Sequence, residues 1–325
     1  MINQKKIDLA YKKYIKNFQD ESMFENSITK YEGLKNVIEN IIEANEKEKD
    51  HILLIRIGSI FAHYHLIWKK DVLINGNNSI DGLKQLQISL FYQCMSQDLY
   101  KIRYPRMMVS YTFKDIVSSL VHFTMYGWEK EESILYNFIA DHIGENSISA
   151  NNSNRHTWFL MELYLRYRNK KILGTNQDVY IAVGEELMER EVENDLIPDD
   201  LDIYEEVLDR WSTSEEEEIT ALIDKMIIYH SERVLELGNS VEFGDYRYGF
   251  YPYEILFLIH VRKKQGLPVP EHFKELLMNT PEARMVHEDP ESYPERDPLM
   301  EIIDQFYRKN YPEYVPNQYG DELFQ

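Results

Sequence analysis

The sequence predicts an all-α protein: about a dozen helices packed as antiparallel pairs, in an irregular bundle or repeat-like array. Three observations carry this. Apolar residues recur at spacings of three and four along most of the chain, which places them on one face of a helix. No alternating apolar–polar run is bounded by tight hairpin turns, so strand evidence is poor. The periodicity stops at turn and breaker residues: Asn75-Gly76, Pro105, Pro198, and Gly266 with Pro268.

Taken in order, Ile7, Tyr11, Tyr14, Ile15 and Phe18 share one face of a first helix. Ile28, Tyr31, Leu34, Ile38, Ile41 and Ile42 define a second, with Ser27 as its expected N-cap. A third spans residues 48–69, and a fourth runs from Asp81 to Lys101 after the Asn-Gly turn. Helical segments follow near 111–127, 130–143, 155–170, 177–193 and 199–211. Ser214-Glu215-Glu216-Glu217 fits a capping box at the head of a helix reaching Leu237. Ile255, Leu256, Leu258 and Ile259 mark the next, and the last covers 297–309. The polar stretch 144–154 reads as a long loop. It divides an N-terminal region, 1–143, from a C-terminal region, 155–325, unless the two form one continuous domain.

The chain has 325 residues, 43% hydrophobic and 28% charged, the composition of a globular protein rather than a disordered one. The N-terminal stretch is lysine-rich without the apolar core of a signal peptide, and no stretch reaches ~18 uninterrupted apolar residues. The expectation is a cytoplasmic protein that does not enter a membrane. The single cysteine, Cys94, has no partner for an internal disulfide and no cysteine-protease signature around it; it reads as a buried inert thiol.

The net charge of −20 is unevenly placed: residues 1–170 carry +2 and residues 171–325 carry −22. Nucleic acid repels such a surface, because its binders need clustered Lys and Arg. A basic protein partner is drawn in. The concentration peaks at 185–218, where 16 acidic groups face only Arg190 and Arg210. Glu185, Glu186, Glu189, Glu193, Asp199, Asp200, Asp202, Glu205, Glu206 and Asp209 are its candidate partner-binding residues. The blander account is a solvated face, with the acidic turn after Pro198 favoured by a helix dipole.

Between Glu242 and Glu254, six aromatic residues crowd thirteen positions. They suit a helix staple or core. Tyr also suits a binding surface, since its rigid apolar ring ends in a polar tip. Tyr246, Tyr248, Tyr251 and Tyr253 therefore join the candidate contacts, with a substrate pocket as a third reading.

Motifs for chemistry are missing. There is no GxxxxGK[ST], no GxGxxG after a strand, no GxSxG and no HExxH. His63 and His65 point about 200° apart on a helix, and Glu48-x-x-His51 is a single ExxH match where di-metal bundles use two. No catalytic residue, metal or cofactor is assigned.

HILLIRIGSIFAHYHLIWKK, a Gly/Asn-rich break and DGLKQLQISLFYQCMSQD together resemble the N-terminal helices of bacterial immunity proteins from polymorphic toxin systems. GFYPYEILFLIHVRKKQGLPV, running into FKELL, resembles their C-terminal part. The likeness is to the immunity protein 49 family, with the all-helical immunity proteins of PoNe-type DNase toxins as second choice. It implies a cytoplasmic protein that binds and neutralises one cognate toxin, often a nuclease. The basic RKK at 262–264 would then have to face away from a basic toxin. Two other classes stay open. A helical-repeat scaffold or peptide-binding regulator would show a long concave groove. An enzyme would gather His63, His122, Tyr104 or Arg106 with a carboxylate.

Overall fold

The computed structural model describes residues 4–104, 111–143, 148–149, 154–191, 197–238, 242–320 and 322–325. Among them the fold is all-α. Twelve α-helices run in chain order: α1 (Gln4–Asn17), α2 (Glu21–Glu43), α3 (Asp50–Lys69), α4 (Asp81–Arg103), α5 (Phe113–Tyr126) and α6 (Glu129–His142), then α7 (Arg155–Arg168), α8 (Val179–Glu189), α9 (Ile203–Arg210), α10 (Glu216–Arg233), α11 (Tyr253–Lys264) and α12 (Pro298–Asn310). Among the described residues only Tyr111–Thr112 and Ile148–Ser149 are extended as strands. No helix among the described residues is long and apolar enough to cross a membrane.

Two helix starts differ from expectation, and at α2 the reason is that a carboxylate at the true helix start takes the orphan amide. Asp20, not Ser27, caps α2, its carboxylate accepting from Ser22 N at 3.0 Å. Ser27 lies within α2, with its hydroxyl 3.1 Å from His63 Nδ1. At α10 the expected Ser214/Glu217 box is replaced by Thr213 and Glu218. Thr213 Oγ1 accepts from Glu215 N at 3.3 Å and donates to Glu218 Oε2 at 2.6 Å.

The chain forms two compact units, each built from two separate segments. The first joins Met1–Asn17 to Ala140–Met285, and the second joins Phe18–Ile139 to Val286–Gln325. In the second unit successive helices pack on one another, α2 on α3, α3 on α4 and α4 on α5, and α12 returns to cover α2, α3 and α4. The closest approach is at Gly82, where an added Cβ would lie 2.9 Å from the Trp68 backbone; glycine lets the first turn of α4 seat there. Almost every side chain of α4 from Gly82 to Leu99 is buried, the polar ones included. Gln87 accepts from Ser119 Oγ at 2.7 Å, and Cys94 is buried, which pushes its thiol pKa up. Phe324 plugs the core against Phe91, Phe123 and Trp128, with ring centroids 5.1, 5.7 and 5.8 Å away. Its amide is held by the buried Glu131 carboxylate at 2.7 Å.

In the first unit α7 is the central helix, packing on α8, α9 and α11, while α10 packs on α9 and α11. The side chains of α7 from His156 to Leu165 are all buried. α1 packs on the short turn Val234–Glu236, and Tyr14 donates to Glu282 Oε1 at 2.5 Å.

Candidate functional site

The acidic residues of the first unit sit on helices whose opposite faces are core. In α9, Tyr204, Val207 and Leu208 are buried, which leaves Glu205, Glu206 and Asp209 outside with Asp202 at the N-cap. Asp202, Glu205 and Glu206 form the acidic first turn that a helix dipole favours, while Asp209 lies in the last turn. Glu185 and Glu189 of α8, Asp199, Asp200, Glu216 and Glu217 are also exposed, and Glu186 is half-buried beside Arg190. Glu193 lies outside the described residues.

Cross-links join several of these groups. Arg210 of α9 pairs with Glu218 of α10, and Lys225 of α10 pairs with Glu206 of α9. Tyr180 of α8 donates to Glu205 at 3.4 Å. Arg155 at the head of α7 forks onto Asp200, with nitrogens 3.0 and 3.1 Å from Oδ1. These contacts relieve part of the like-charge repulsion expected at Asp202/Glu206 and Glu205/Asp209. The basic groups on the face are thereby already engaged by its own carboxylates. The outer side of α10 forms an open depression of about 530 Å³ lined by Glu216, Glu217, Thr220, Ala221 and Asp224. Burial, and the nearby Glu275 charge, raise the Asp224 pKa.

α8 is held from beneath by Glu162 of α7. Its carboxylate accepts from the Val179 and Tyr180 amides at the head of α8. Burial, and then the Asp178 charge, raise its pKa from the usual value to about 8, against the pull of those two amides and Arg166. A carboxyl that holds its proton more tightly when folded adds stability below the unfolded pKa, and that stability is lost as pH rises toward 8. Glu162→Gln keeps an acceptor for Val179 N and removes the titration. Its stability relative to wild type is expected to rise by about 3 kcal/mol between pH 4.5 and pH 7. Paired urea titrations across that range measure the difference; a flat one would refute the shift.

The aromatic stretch is mostly interior. Tyr248, Tyr251 and Tyr253 have no exposed surface, and Phe243 and Phe250 are equally buried. This corrects their assignment as partner contacts, since a partner would have to unpack the unit to touch them. Their rings pack on one another, Tyr248 and Tyr253 at 5.1 Å and Tyr251 and Tyr253 at 5.9 Å. Only Tyr246 is half-buried, stacked parallel to Tyr14.

Beneath the stretch lies a polar cluster that sequence reasoning missed. His230 of α10 is stacked on Phe243 at 3.6 Å, its Nδ1 lying 2.7 Å from Glu254 Oε1 and its Nε2 2.8 Å from the Gly249 carbonyl. His156 Nε2 is 2.9 Å from Tyr253 OH, and Tyr229 donates to Glu242 at 2.8 Å. The Glu242 pKa falls to about 2: His156, 3.8 Å away, then Tyr229 and Arg233, outweigh burial. Glu242 and Glu254 bracket the aromatic run in sequence, but nothing there shows that they turn inward. The cluster ties α7, α10 and α11 to the stretch between α10 and α11.

Other candidates disperse within the second unit. His63 stacks on Tyr31 at 4.4 Å, whereas His65 meets Phe18 edge-on. His122 is fully buried in α5, its Nδ1 2.6 Å from the Ser118 carbonyl, and burial lowers its pKa to about 3. Tyr104 packs on Tyr100, and Arg106 lies outside the described residues. In the first unit, the RKK of α11 divides, with Arg262 buried and Lys263 and Lys264 exposed. Among the described residues no group of three or more His, Cys, Asp or Glu is placed to hold a metal ion. Comparison with protein-family models, curated proteins and solved structures finds no match.

Proposed function

We propose that this chain is an immunity protein: it captures a basic toxin by direct contact through the acidic face of α8, α9 and α10 and blocks it without turning over a substrate. The observation that supports this reading most is the way that face is built. Carboxylates of α9 and α10 adjoin, α8 meets them through Tyr180, and the basic groups among them are spent on internal pairs, so the excess negative charge faces outward. Such a field raises encounter rates with a positively charged protein and sets the orientation of approach. Tyr246, partly exposed, stays among the proposed contacts; the three buried tyrosines do not.

Co-expression with the product of the adjacent open reading frame, expressed as a candidate toxin, is the direct test, with restored growth as the expected outcome. With the purified pair, reversing the charge at Glu189, Glu193, Asp202 and Glu206 should slow association about tenfold at low salt and flatten its salt dependence. Failure of rescue would remove the immunity reading. Rescue with unchanged association rates would remove the acidic face as its means.

A further inference from the structure

Between α2 and α3 in the second unit lies an open groove of about 860 Å³, within the size range of small-molecule sites. Its walls are mixed. Leu34, Val37 and Leu66 supply apolar surface, while Ser27, Tyr31 and His63 are polar. The polar groups are held firmly from behind. Tyr31 and Tyr64 both donate to Asp297, whose other oxygen caps α12 at Met300 N, 2.7 Å away.

Two features lack an internal explanation. The first is Arg56, which lines the groove. Every other described arginine has a hydrogen bond, an ion pair or a ring contact, most of them to carboxylates or carbonyls. Arg56 has none, and its Nε is buried without an acceptor. A guanidinium without an acceptor is anomalous in a chain of net charge −20. Lys30, exposed on the same groove, adds a second cation without an ion pair among the described residues. Asp20, the acidic residue at the rim, is committed to capping α2.

The second is Gly33, in the middle of α2 and also on the groove wall. Glycine weakens a helix interior relative to alanine. Here packing does not require it, because an added Cβ would meet nothing within 4 Å. What the missing side chain leaves is space on the groove side.

We infer that the α2–α3 groove binds a small organic anion with a rigid apolar body, its acid group pairing with Arg56 and Lys30 and its body lying on Leu34, Val37 and Leu66 across the gap at Gly33. The class follows from the lining: a forked donor and an ammonium for one carboxylate or sulfonate, beside an apolar wall.

The probe is 8-anilinonaphthalene-1-sulfonate, titrated by fluorescence into the full chain, with neutral N-phenyl-1-naphthylamine as the control. The expected result is saturable binding of one sulfonate per chain, about tenfold or more weaker in Arg56→Met. In Gly33→Leu binding is expected to be lost while the melting temperature holds or rises. The neutral control is expected to bind no more tightly to wild type than to Arg56→Met. No saturable binding, or equal affinity in all three proteins, would overturn the site. Loss in Gly33→Leu with full affinity in Arg56→Met would overturn the anion assignment.

Discussion

Arg262→Met is expected to destabilise the first unit by about 4 kcal/mol, among the largest effects of any single substitution here. The Arg262 guanidinium is buried in α11 without a carboxylate partner. Its donors go to carbonyls instead: Nε and Nη2 to Pro268 at 3.0 and 2.7 Å, Nη2 to Thr213 at 2.9 Å, and Nη1 to Trp211. Trp211 and Thr213 belong to the turn between α9 and α10, and Pro268 follows the end of α11. One side chain thus fastens both turns. Methionine fills much of the volume but strands three carbonyls, each costing about 1–3 kcal/mol if water cannot reach it. Arg262→Lys should recover little, because an ammonium cannot reproduce the fork. Hydrogen exchange should report the loss as faster exchange at residues 203–213 and 253–268. Unchanged protection would mean that water replaces the guanidinium at no cost.

Lys84→Met should cost about 3–5 kcal/mol in the second unit, by stranding a charge rather than carbonyls. Lys84 of α4 is buried, with its ammonium 2.8 Å from the equally buried Glu291 carboxylate and 2.9 Å from the Ser292 carbonyl. Glu291 is also fixed by its backbone. Its amide donates to Tyr126 O at 2.8 Å, and its carbonyl accepts from Trp128 Nε1 at 2.9 Å. Removing the ammonium leaves a carboxylate that can neither leave nor be solvated. The double variant Lys84→Met/Glu291→Gln removes both charges and should be more stable than Lys84→Met alone. A urea midpoint for the double variant at or below that of Lys84→Met would argue against a stranded charge.

The helices were legible because their period is local. α10 and α12 each alternate core and solvent with every turn, so their extents follow from the pattern. Which face or residue does a special task was less legible. α4 and α7 are buried on nearly all sides, so their Gln, Lys, Ser, His and Glu read as solvent positions in the sequence although they are core. The aromatic run 242–254 has the composition of a binding surface, and only tertiary packing reveals it as interior. Arg262 stands beside two exposed lysines in one basic triplet, and no local signal separates it from them. The acidic block was legible as a concentration of charge. Its continuity from α9 to α10 comes from pairs such as Lys225 with Glu206, 19 residues apart, which periodicity does not encode.

The segment boundaries at 17/18, 139/140 and 285/286 mean that neither unit is a continuous stretch of polypeptide. During synthesis, Phe18–Ile139 emerges from the ribosome long before Val286–Gln325, which carries the Glu291 partner of Lys84 and the Phe324 plug. Until then, the nascent segment has an open apolar seam and lacks the carboxylate on which the Lys84 ammonium is buried. α1, made first, must likewise wait for Glu282, the acceptor of its Tyr14 hydroxyl. Folding of both halves therefore waits for residues far downstream, and closing such long loops slows it and prolongs the need for chaperones.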